Sequence, residues 1–233
     1  MLYLHTSVYF EIKLEKVVIV GASGHAKVCI DILERSGGYE IIGLLDSLKP
    51  KGLNVFGYPI LGDFSVIPDL LENNSGLEFF VAIGDNWIRH QVVQSLKKFH
   101  PKAIFVNAIH PDAIIGKGVE LGNGVMIMAG SIINADSILG DFTIVNTRSS
   151  VGHESILNKF SSLAPNCTLG GNVEVGEYSA ISLSSTILNG RKIGKHTIVG
   201  AGSLLTKDAE KFAVYYGVPA KFIRQREKGD KYL

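Results

Sequence analysis

An unbroken six-residue period runs through the second half of this chain. Every sixth residue from Ile109 to Leu205 is aliphatic, over seventeen successive positions, whereas about a third of residues would be aliphatic by chance. A fixed short repeat is the signature of a solenoid, and a repeat of six is typical of a parallel β-helix. Each hexad predicts a short strand with one inward aliphatic side chain and then a turn, often at glycine. Three hexads, or eighteen residues, make one triangular coil.

Residues 16–106 follow a different pattern, in which β-branched runs alternate with helical spacing. Because such alternation is typical of a parallel sheet with crossover helices, we expect a Rossmann-like α/β domain ahead of the β-helix. The predicted strands are Lys16–Val20, Glu40–Leu45, Gly57–Gly62, Phe79–Ile83 and Ala103–Val106, and the predicted helices are Gly24–Arg35, Phe64–Glu72 and Asn86–Phe99. The predicted boundaries are an extension at 1–15, the α/β domain at 16–106, the β-helix at 107–213 and a tail at 214–233.

Composition narrows the classes of function. The net charge is +1, so nothing favours nucleic acid or an anionic membrane as the main partner. The chain has two isolated cysteines, Cys29 and Cys167, which favours a reducing cytoplasm over a disulfide framework. No apolar run reaches the ~18 residues needed to cross a bilayer, so we expect no membrane insertion. Residues 1–15 lack the features of a signal peptide and are either an extra strand or a loose extension.

The first chemical motif is Gly21–Lys27 (GASGHAK), between the first strand and its helix. Its glycines let the backbone approach a ligand, and the N–H groups of a helix start attract phosphate. The match to the dinucleotide fingerprint G-x-G-x-x-G is poor, since Ser23 and Ala26 replace its second and third glycines. The motif therefore indicates either a diphosphate-binding turn or a plain tight turn.

Other polar residues follow strands that end at the same edge of the sheet. Asp46 either accepts a hydrogen bond from a ribose or base, or is a turn residue. Asn86 could cap the helix that it begins, and Arg89 could lie on a solvated helix face. Ligands bind outside the carboxyl ends of parallel strands, so we expect a substrate site built from Gly24, His25, Asp46, Gly84, Asn86 and Arg89.

One polar cluster in the β-helix indicates catalysis. His153 lies two residues after inward Val151, hence on an outer turn, and Glu154 adjoins it. A carboxylate beside an imidazole fixes its tautomer and strengthens it as a base. Gly171 follows His153 by eighteen residues, so it should lie one strand spacing away on the next coil. A base beside an exposed backbone N–H is what acyl transfer requires.

Six stretches of the sequence match one family of enzymes: GASGHAK at 21–27, GYPILGD at 57–63, AIGDN at 82–86, NTRSSVGHE at 146–154, LAPNCTLGGNVEVGE at 163–177 and GVPAK at 217–221. Through these stretches the chain resembles the bacterial sugar acyltransferases of the sialic-acid O-acetyltransferase type. These include the enzymes that N-acetylate UDP-linked 4-amino sugars such as bacillosamine, and GDP-perosamine. The resemblance implies a left-handed β-helix assembled as a homotrimer, with acetyl-CoA as co-substrate in the groove between helices, no metal, and an N-terminal domain that binds the nucleotide sugar.

The resemblance also implies roles for individual residues. His153 matches the catalytic base and Glu154 the acidic residue that supports it. Asn146 matches an asparagine near the reacting amine. The oxyanion and acetyl-CoA are expected to contact Gly171, Ala180 and Gly200. The chain departs from the common pattern at Gly152, Ser161–Ser162, Ser47 and Val218.

The sequence therefore predicts an acetyl-CoA-dependent N-acetyltransferase, acting on a nucleotide-linked amino sugar in bacterial surface glycan biosynthesis, by direct transfer with a histidine base. One alternative is an O-acetyltransferase that acts on a sialic acid or another sugar hydroxyl. A second is a zinc hydratase, which would need His110, His153 and His196 to meet across subunits. A third is a non-catalytic trimeric scaffold. A covalent acyl-enzyme at Cys167 is less favoured than an inert buried thiol.

Overall fold

A computed structural model describes residues 14–231 of the chain, so the predicted extension lies almost wholly outside the described residues. The N-terminal part is a sheet in the order β3-β4-β2-β1-β5. Its pairs are parallel except for β3 with β4. The strands are β1 (Glu15–Val20), β2 (Tyr39–Leu45), β3 (Asn54–Val55), β4 (Tyr58–Gly62) and β5 (Glu78–Val81), and the helices are α1 (Gly24–Ser36), α2 (Ile67–Asn73) and α3 (Asn86–Phe99).

Both faces of this sheet are covered, as expected for parallel strands that are apolar along their length. Val17 and Ile19 of β1 pack on the side of α1, in a cluster with Ile30 and Leu33. The alternate residues of β1 point to the other side, where Val18 lies in a cluster with helix α3. The predicted Rossmann-like domain is thereby confirmed.

Three local features of the structure differ from the predictions. The expected strand Ala103–Val106 is only a single parallel bridge between Phe79 and Phe105, because the chain enters the β-helix directly afterwards. Strand β3 was not predicted, since two residues are too few to show a period. A short 3-10 turn, Phe64–Val66, precedes α2 where one helix was expected.

The second half is a left-handed parallel β-helix of seventeen two-residue strands, as the period predicts. Each strand from β6 to β19 pairs in parallel with the strand eighteen residues further on. Face 1 contains β6 (Ala108–Ile109), β9 (Met126–Ile127), β12 (Ile144–Val145), β15 (Ser162–Leu163), β18 (Ala180–Ile181) and β21 (Ile198–Val199). Face 2 contains β7 (Ile114–Ile115), β10 (Ile132–Ile133), β13 (Ser150–Val151), β16 (Thr168–Leu169), β19 (Thr186–Ile187) and β22 (Leu204–Leu205). Face 3 contains β8 (Glu120–Leu121), β11 (Ile138–Leu139), β14 (Ile156–Leu157), β17 (Glu174–Val175) and β20 (Lys192–Ile193).

The aliphatic residue of each hexad is the second residue of its strand and points into the prism. From Ile127 to Leu205 all of these side chains are at most 3% exposed, so they form one continuous core. Ile115 in the first coil is 39% exposed, because no earlier coil covers it. We call the edges of the prism 1–2, 2–3 and 3–1 after the faces that they join.

Much of the predicted tail at 214–233 belongs to a β-hairpin. Strand β23 (Ala213–Gly217) continues face 1 beside β21, and β24 (Ala220–Gln225) pairs antiparallel with it. Arg226 is 7% exposed and donates to the carbonyl of His196. Lys228 lies 4.2 Å above the ring of Trp87 in α3. The C-terminal segment therefore contacts the N-terminal domain.

The N-terminal domain rests on face 1 and edge 3–1 of the prism. Helix α1 packs on face 1, where Cys29 Sγ lies 3.7 Å from Met126 Sδ. On the other side of the sheet, Phe105 meets the ring of Phe142 at edge 3–1, with ring centroids 5.0 Å apart. This packing brings the carboxyl edge of the sheet against the outer surface of face 1.

Candidate active site

The GASGHAK turn connects β1 to α1 at the carboxyl edge of the sheet. Ser23 precedes α1 without a side-chain cap, and Gly24 is the first helical residue. A buried Nε2 atom of His25 has no hydrogen-bond partner in the described part of the chain. Burial, and then the charge of Arg89, lower the pKa of His25 to about 4. His25 is therefore neutral at pH 7, and its ring can offer a hydrogen bond but not a charge.

Asp46 stabilises this turn directly. Its carboxylate accepts hydrogen bonds from the N–H of Ala22 at 2.9 Å, of Leu48 at 2.9 Å and of Lys49 at 3.1 Å. Asp46 was expected to be either a ribose or base ligand or a turn residue, and this geometry favours the turn residue. Sequence reasoning missed Lys49, whose Nζ donates to the carbonyl oxygen of Ala22. An exposed lysine in a loop gives no pattern by which it could have been found.

His25 and Gly84 share a cavity with the β-helix. Its volume is about 420 Å³, and it lies between the turn, face 1 and edge 1–2. Asn146 and Ala180, which were expected to lie near the amine and acetyl-CoA, are on its wall. The structure thus brings together four predicted residues from two domains. The remaining lining residues are Ile144, Ser162, Leu163, Ala164, Ile181, Ser182, Leu183, Ala201 and Tyr216.

Asp46 lines a second cleft, on the α3 side of the sheet. This cleft has a volume of about 570 Å³ and begins at Gly21. Ile83, Ile88 and Phe99 give it a largely apolar wall. An apolar cleft that leads to a glycine turn at the carboxyl edge suits a nucleoside followed by its phosphates.

Asn86 and Arg89 were expected to bind substrate, and the structure assigns them to the domain interface. They are 0% and 1% exposed. Arg89 Nε donates to the carbonyl of Phe142 and Nη1 to that of Gly84, each at 2.9 Å. Asn86 donates to the carbonyl of Ser179 at 3.0 Å and accepts from Arg89 Nη2 at 2.7 Å. The cap of α3 is Asp85, not Asn86.

His153, Glu154 and Gly171 lie together on edge 2–3. His153 Nδ1 is 3.0 Å from Glu154 Oε2, and both side chains are 59% exposed. The imidazole covers Gly171 so closely that a Cβ atom there would lie 2.4 Å from His153 Nε2. The Gly171 N–H has no backbone acceptor among the described residues. His153 Nε2 therefore lies against Gly171, whose backbone N–H is not taken up by a backbone carbonyl of the described residues.

Gly200 and Cys167 do not join this group. Gly200 lies on edge 1–2, under the ring of Tyr216. Cys167 is buried, and its Sγ donates to the carbonyl of Ser182 at 3.0 Å. Burial raises the pKa of Cys167 to about 11, so a thiolate nucleophile is disfavoured.

The two groups of site residues lie on different parts of the prism. The cavity with His25 and Asn146 opens on face 1 and edge 1–2. His153 follows β13 and precedes β14, which places it on edge 2–3, opposite face 1. Within one chain, the expected base and the expected sugar site therefore face different directions.

Comparison with known proteins was made against families, curated sequences and solved structures. Residues 16–96 match the PglD N-terminal domain family. A histidine-to-asparagine variant of perosamine N-acetyltransferase from Caulobacter crescentus, in complex with CoA and GDP-perosamine, is 38% identical with a TM-score of 0.84, covering 90% of this chain and 97% of that one. The acetyltransferase domain of PglB from Neisseria gonorrhoeae FA1090, in complex with acetyl coenzyme A, is 30% identical with a TM-score of 0.83, covering 91% and 100%.

Among curated sequences, UDP-N-acetylbacillosamine N-acetyltransferase of Bacillus subtilis (strain 168) is 30% identical over 116 residues, which are 50% of this chain and 52% of the relative. The chain spans about half or less of the length of the curated relatives that it matches. In contrast, this chain covers almost the whole length of the two solved structures named above. The chain belongs to the family of sugar acetyltransferases that join a PglD-type N-terminal domain to a left-handed β-helix.

Two further findings concern the described residues, 14–231. None of their helices has the length and hydropathy of a membrane span. They also contain no group of three or more histidine, cysteine, aspartate or glutamate side chains placed to hold a metal ion.

Proposed function

We propose that this protein transfers the acetyl group of acetyl-CoA to the amine of a nucleotide-linked amino sugar, in the cytoplasm, for a bacterial surface glycan. Relatives crystallised with CoA and GDP-perosamine, or with acetyl coenzyme A, support this reaction class. The observation that carries the proposal is the exposed imidazole of His153 beside the bare N–H of Gly171. A scaffold would have no use for this arrangement.

The proposed mechanism transfers the acetyl group directly from CoA to the amine, through a tetrahedral intermediate and without an acyl-enzyme. The sugar amine attacks the thioester carbonyl, and His153 Nε2 accepts the proton that the nitrogen loses. Glu154 accepts a hydrogen bond from Nδ1 and stabilises the imidazolium that forms. The Gly171 N–H donates to the carbonyl oxygen as it becomes an oxyanion. When the tetrahedral intermediate collapses, the C–S bond breaks, and the His153 imidazolium returns its proton to the departing CoA thiolate, which restores the neutral imidazole.

The acceptor is bound by the N-terminal domain. We place the nucleoside in the cleft that Asp46 lines, the diphosphate at the Gly24–His25 turn, and the amino sugar in the cavity beside Asn146. This order follows the edge of the sheet from one cleft to the other. Asn86 and Arg89 support acceptor binding indirectly, because their hydrogen bonds hold the two domains together.

A homotrimer completes the site in this proposal. Because His153 lies opposite face 1 in its own chain, it must meet a cavity that belongs to a neighbour. Aliphatic side chains flank the His153 edge and are exposed in the single chain, among them Ile132 and Ile156. A closed ring of three prisms buries such side chains and sets edge 2–3 of one subunit against edge 1–2 of the next. Acetyl-CoA then lies in the groove between them.

The test is His153→Ala, assayed by thiol release with acetyl-CoA and a panel of UDP- and GDP-linked amino sugars. We expect kcat to fall by ~10²–10⁴, the scale of a lost general base. Gly171→Ala should also lower kcat, because its Cβ displaces the imidazole. Gly38→Ala is the control, since a Cβ there meets no atom of residues 14–231 within 4 Å. Full turnover by His153→Ala would contradict the mechanism, and turnover only with hydroxyl sugars would identify an O-acetyltransferase instead.

A further inference from the structure

Lys49 is an exposed cation held at the turn to which the diphosphate is assigned. Its ammonium donates to the carbonyl oxygen of Ala22, and an ammonium has two further N–H donors. Within residues 14–231, Lys49 has no carboxylate within ion-pair distance. Its charge is therefore available to an anion at the turn.

The position of Lys49 is set by its own loop. Asp46 accepts hydrogen bonds from the backbone N–H groups of both Ala22 and Lys49. The Asp46 carboxylate thus connects the loop that contains Lys49 to the turn before α1. The lysine side chain then needs only to reach the carbonyl oxygen of Ala22, the residue whose N–H already donates to Asp46.

The adjoining turn has room and donors for a phosphate group. Helix α1 is thirteen residues long, with no side-chain cap at Ser23 and no acidic residue in its first turn. A Cβ atom on Gly24 would meet no atom of the described residues within 4 Å. The buried Nε2 of His25 also lacks a partner among these residues. A helix start with open space at Gly24 and a cation beside it is suited to an anion.

The other nearby basic residues are used elsewhere. His25 is neutral at pH 7, since its pKa is lowered to about 4. Arg89 is buried and donates to backbone carbonyls at the domain interface. Lys27 lies 5.8 Å from the centre of the Phe56 ring. Among the described residues, Lys49 is thus the lysine whose ammonium donates to the backbone of the turn.

We propose that Lys49 is the substrate-binding cation of this enzyme, and that it contacts the diphosphate of the nucleotide sugar while Gly24 and His25 contribute hydrogen bonds. This inference rests on the proposed function. It makes Lys49 a determinant of affinity for diphosphates over uncharged nucleosides. It assigns no role to Lys49 in the acetyl-transfer step itself.

Calorimetric titration of the full chain with UDP, GDP, uridine and guanosine tests this. We expect Lys49→Met to weaken binding of the preferred nucleoside diphosphate by about tenfold to a hundredfold, the scale of one charge-assisted hydrogen bond. Binding of the corresponding nucleoside should be unchanged. Lys51→Met, two residues away on the same exposed loop, is the matched control, and Lys49→Arg should retain most of the affinity. With the acceptor sugar, KM should rise while kcat and the KM for acetyl-CoA stay constant.

Two results would overturn the role of Lys49. One is unchanged affinity of Lys49→Met for the diphosphate. The other is an equal loss for nucleoside and diphosphate with a lower Tm, which would show that Lys49 only stabilises the turn. If neither UDP nor GDP binds the wild-type protein, the proposed function itself is contradicted, and this role falls with it.

Discussion

At the scale of single residues, polar groups in this chain have roles that depend on contacts far away in sequence. His153 and Gly171 could be paired from the sequence because eighteen residues make one coil. Asn86 and Arg89 could not, since their partners include backbone carbonyls of Phe142 and Ser179. A buried arginine that binds carbonyl groups resembles, in sequence, an arginine that binds a phosphate. The role of Asp46 could not be read from the sequence either. Its carboxylate oxygens accept hydrogen bonds from its own loop and from the turn before α1.

Cys167 offers a test of the direct mechanism at this scale. Its thiol occupies the position in the coil that serine occupies at Ser149 and Ser185, and each of these hydroxyls donates to a carbonyl fifteen residues further on. We therefore expect Cys167→Ser to fold normally and to retain kcat within about twofold of wild type, since no acyl-enzyme forms there. Thiol-release kinetics and Tm measure this. A loss of activity at unchanged Tm would instead favour a covalent route.

At the scale of elements, a ladder of aromatic rings stabilises edge 3–1. The rings of Phe142, Phe160, Tyr178, His196 and Phe212 stack in succession, with centroids 4.6–5.6 Å apart. Each residue has a left-handed backbone conformation, with φ between 55° and 61°. The rings of Trp87 and His90 in α3 pack against the ladder, so the ladder also anchors the N-terminal domain.

His196 makes this ladder sensitive to acid. Burial, followed by the charges of Arg226, Lys228 and Lys195, lowers the pKa of His196 to about 4. Below its ordinary pKa of 6.5, the unfolded chain binds a proton at this histidine that the folded chain does not. The free energy of unfolding therefore falls as the pH decreases from about 6.5 to about 4. His25 acts in the same direction, since its pKa is also lowered to about 4.

Replacing His196 with phenylalanine should flatten part of this pH dependence. Phenylalanine already occupies the same left-handed position at Phe160 and Phe212, so the backbone can accept it. Urea unfolding at several pH values between 4 and 7 measures the slope for wild type and for His196→Phe. Tyr178→Phe alters the same ladder without removing a histidine, and it should keep the wild-type slope. If the free energy of unfolding had the same pH dependence in wild type and His196→Phe, the acid sensitivity would not come from His196.

At the scale of the whole molecule, the fold could be predicted more fully than the site. The inward position of each hexad accepts only aliphatic residues in a narrow prism, so seventeen coil strands were visible in the sequence. The sheet could be predicted for a similar reason, because its strands are buried on both faces and are therefore apolar along their length. How the domain sits on face 1 could not be predicted, because it depends on contacts such as Cys29 with Met126 that have no periodic signal. That placement decides which groups share a site.

A site shared between subunits predicts complementation. Gly24→Glu places a carboxylate at the start of α1, where it suits the helix dipole but repels a diphosphate. His153→Ala removes the base on the opposite edge. Each variant alone should be nearly inactive, whereas trimers formed by mixing the two at equal amounts should regain about a quarter of wild-type activity by random assembly. Mixing His153→Ala with Gly171→Ala is the control, because both changes damage the same edge and no activity should return. Equal inactivity of both mixtures would place the whole site within one chain.

The eighteen-residue coil also limits how proteins of this shape can gain or lose length. Inserting a single hexad between His153 and Gly171 would keep every aliphatic residue inside, yet it would carry the glycine to the next edge and leave the imidazole over a different backbone. Inserting a whole coil before or after this pair would lengthen the prism and leave the pair intact. Lineages that lengthen or shorten this prism should therefore differ by multiples of eighteen residues, with shorter changes confined to loops that project from its edges.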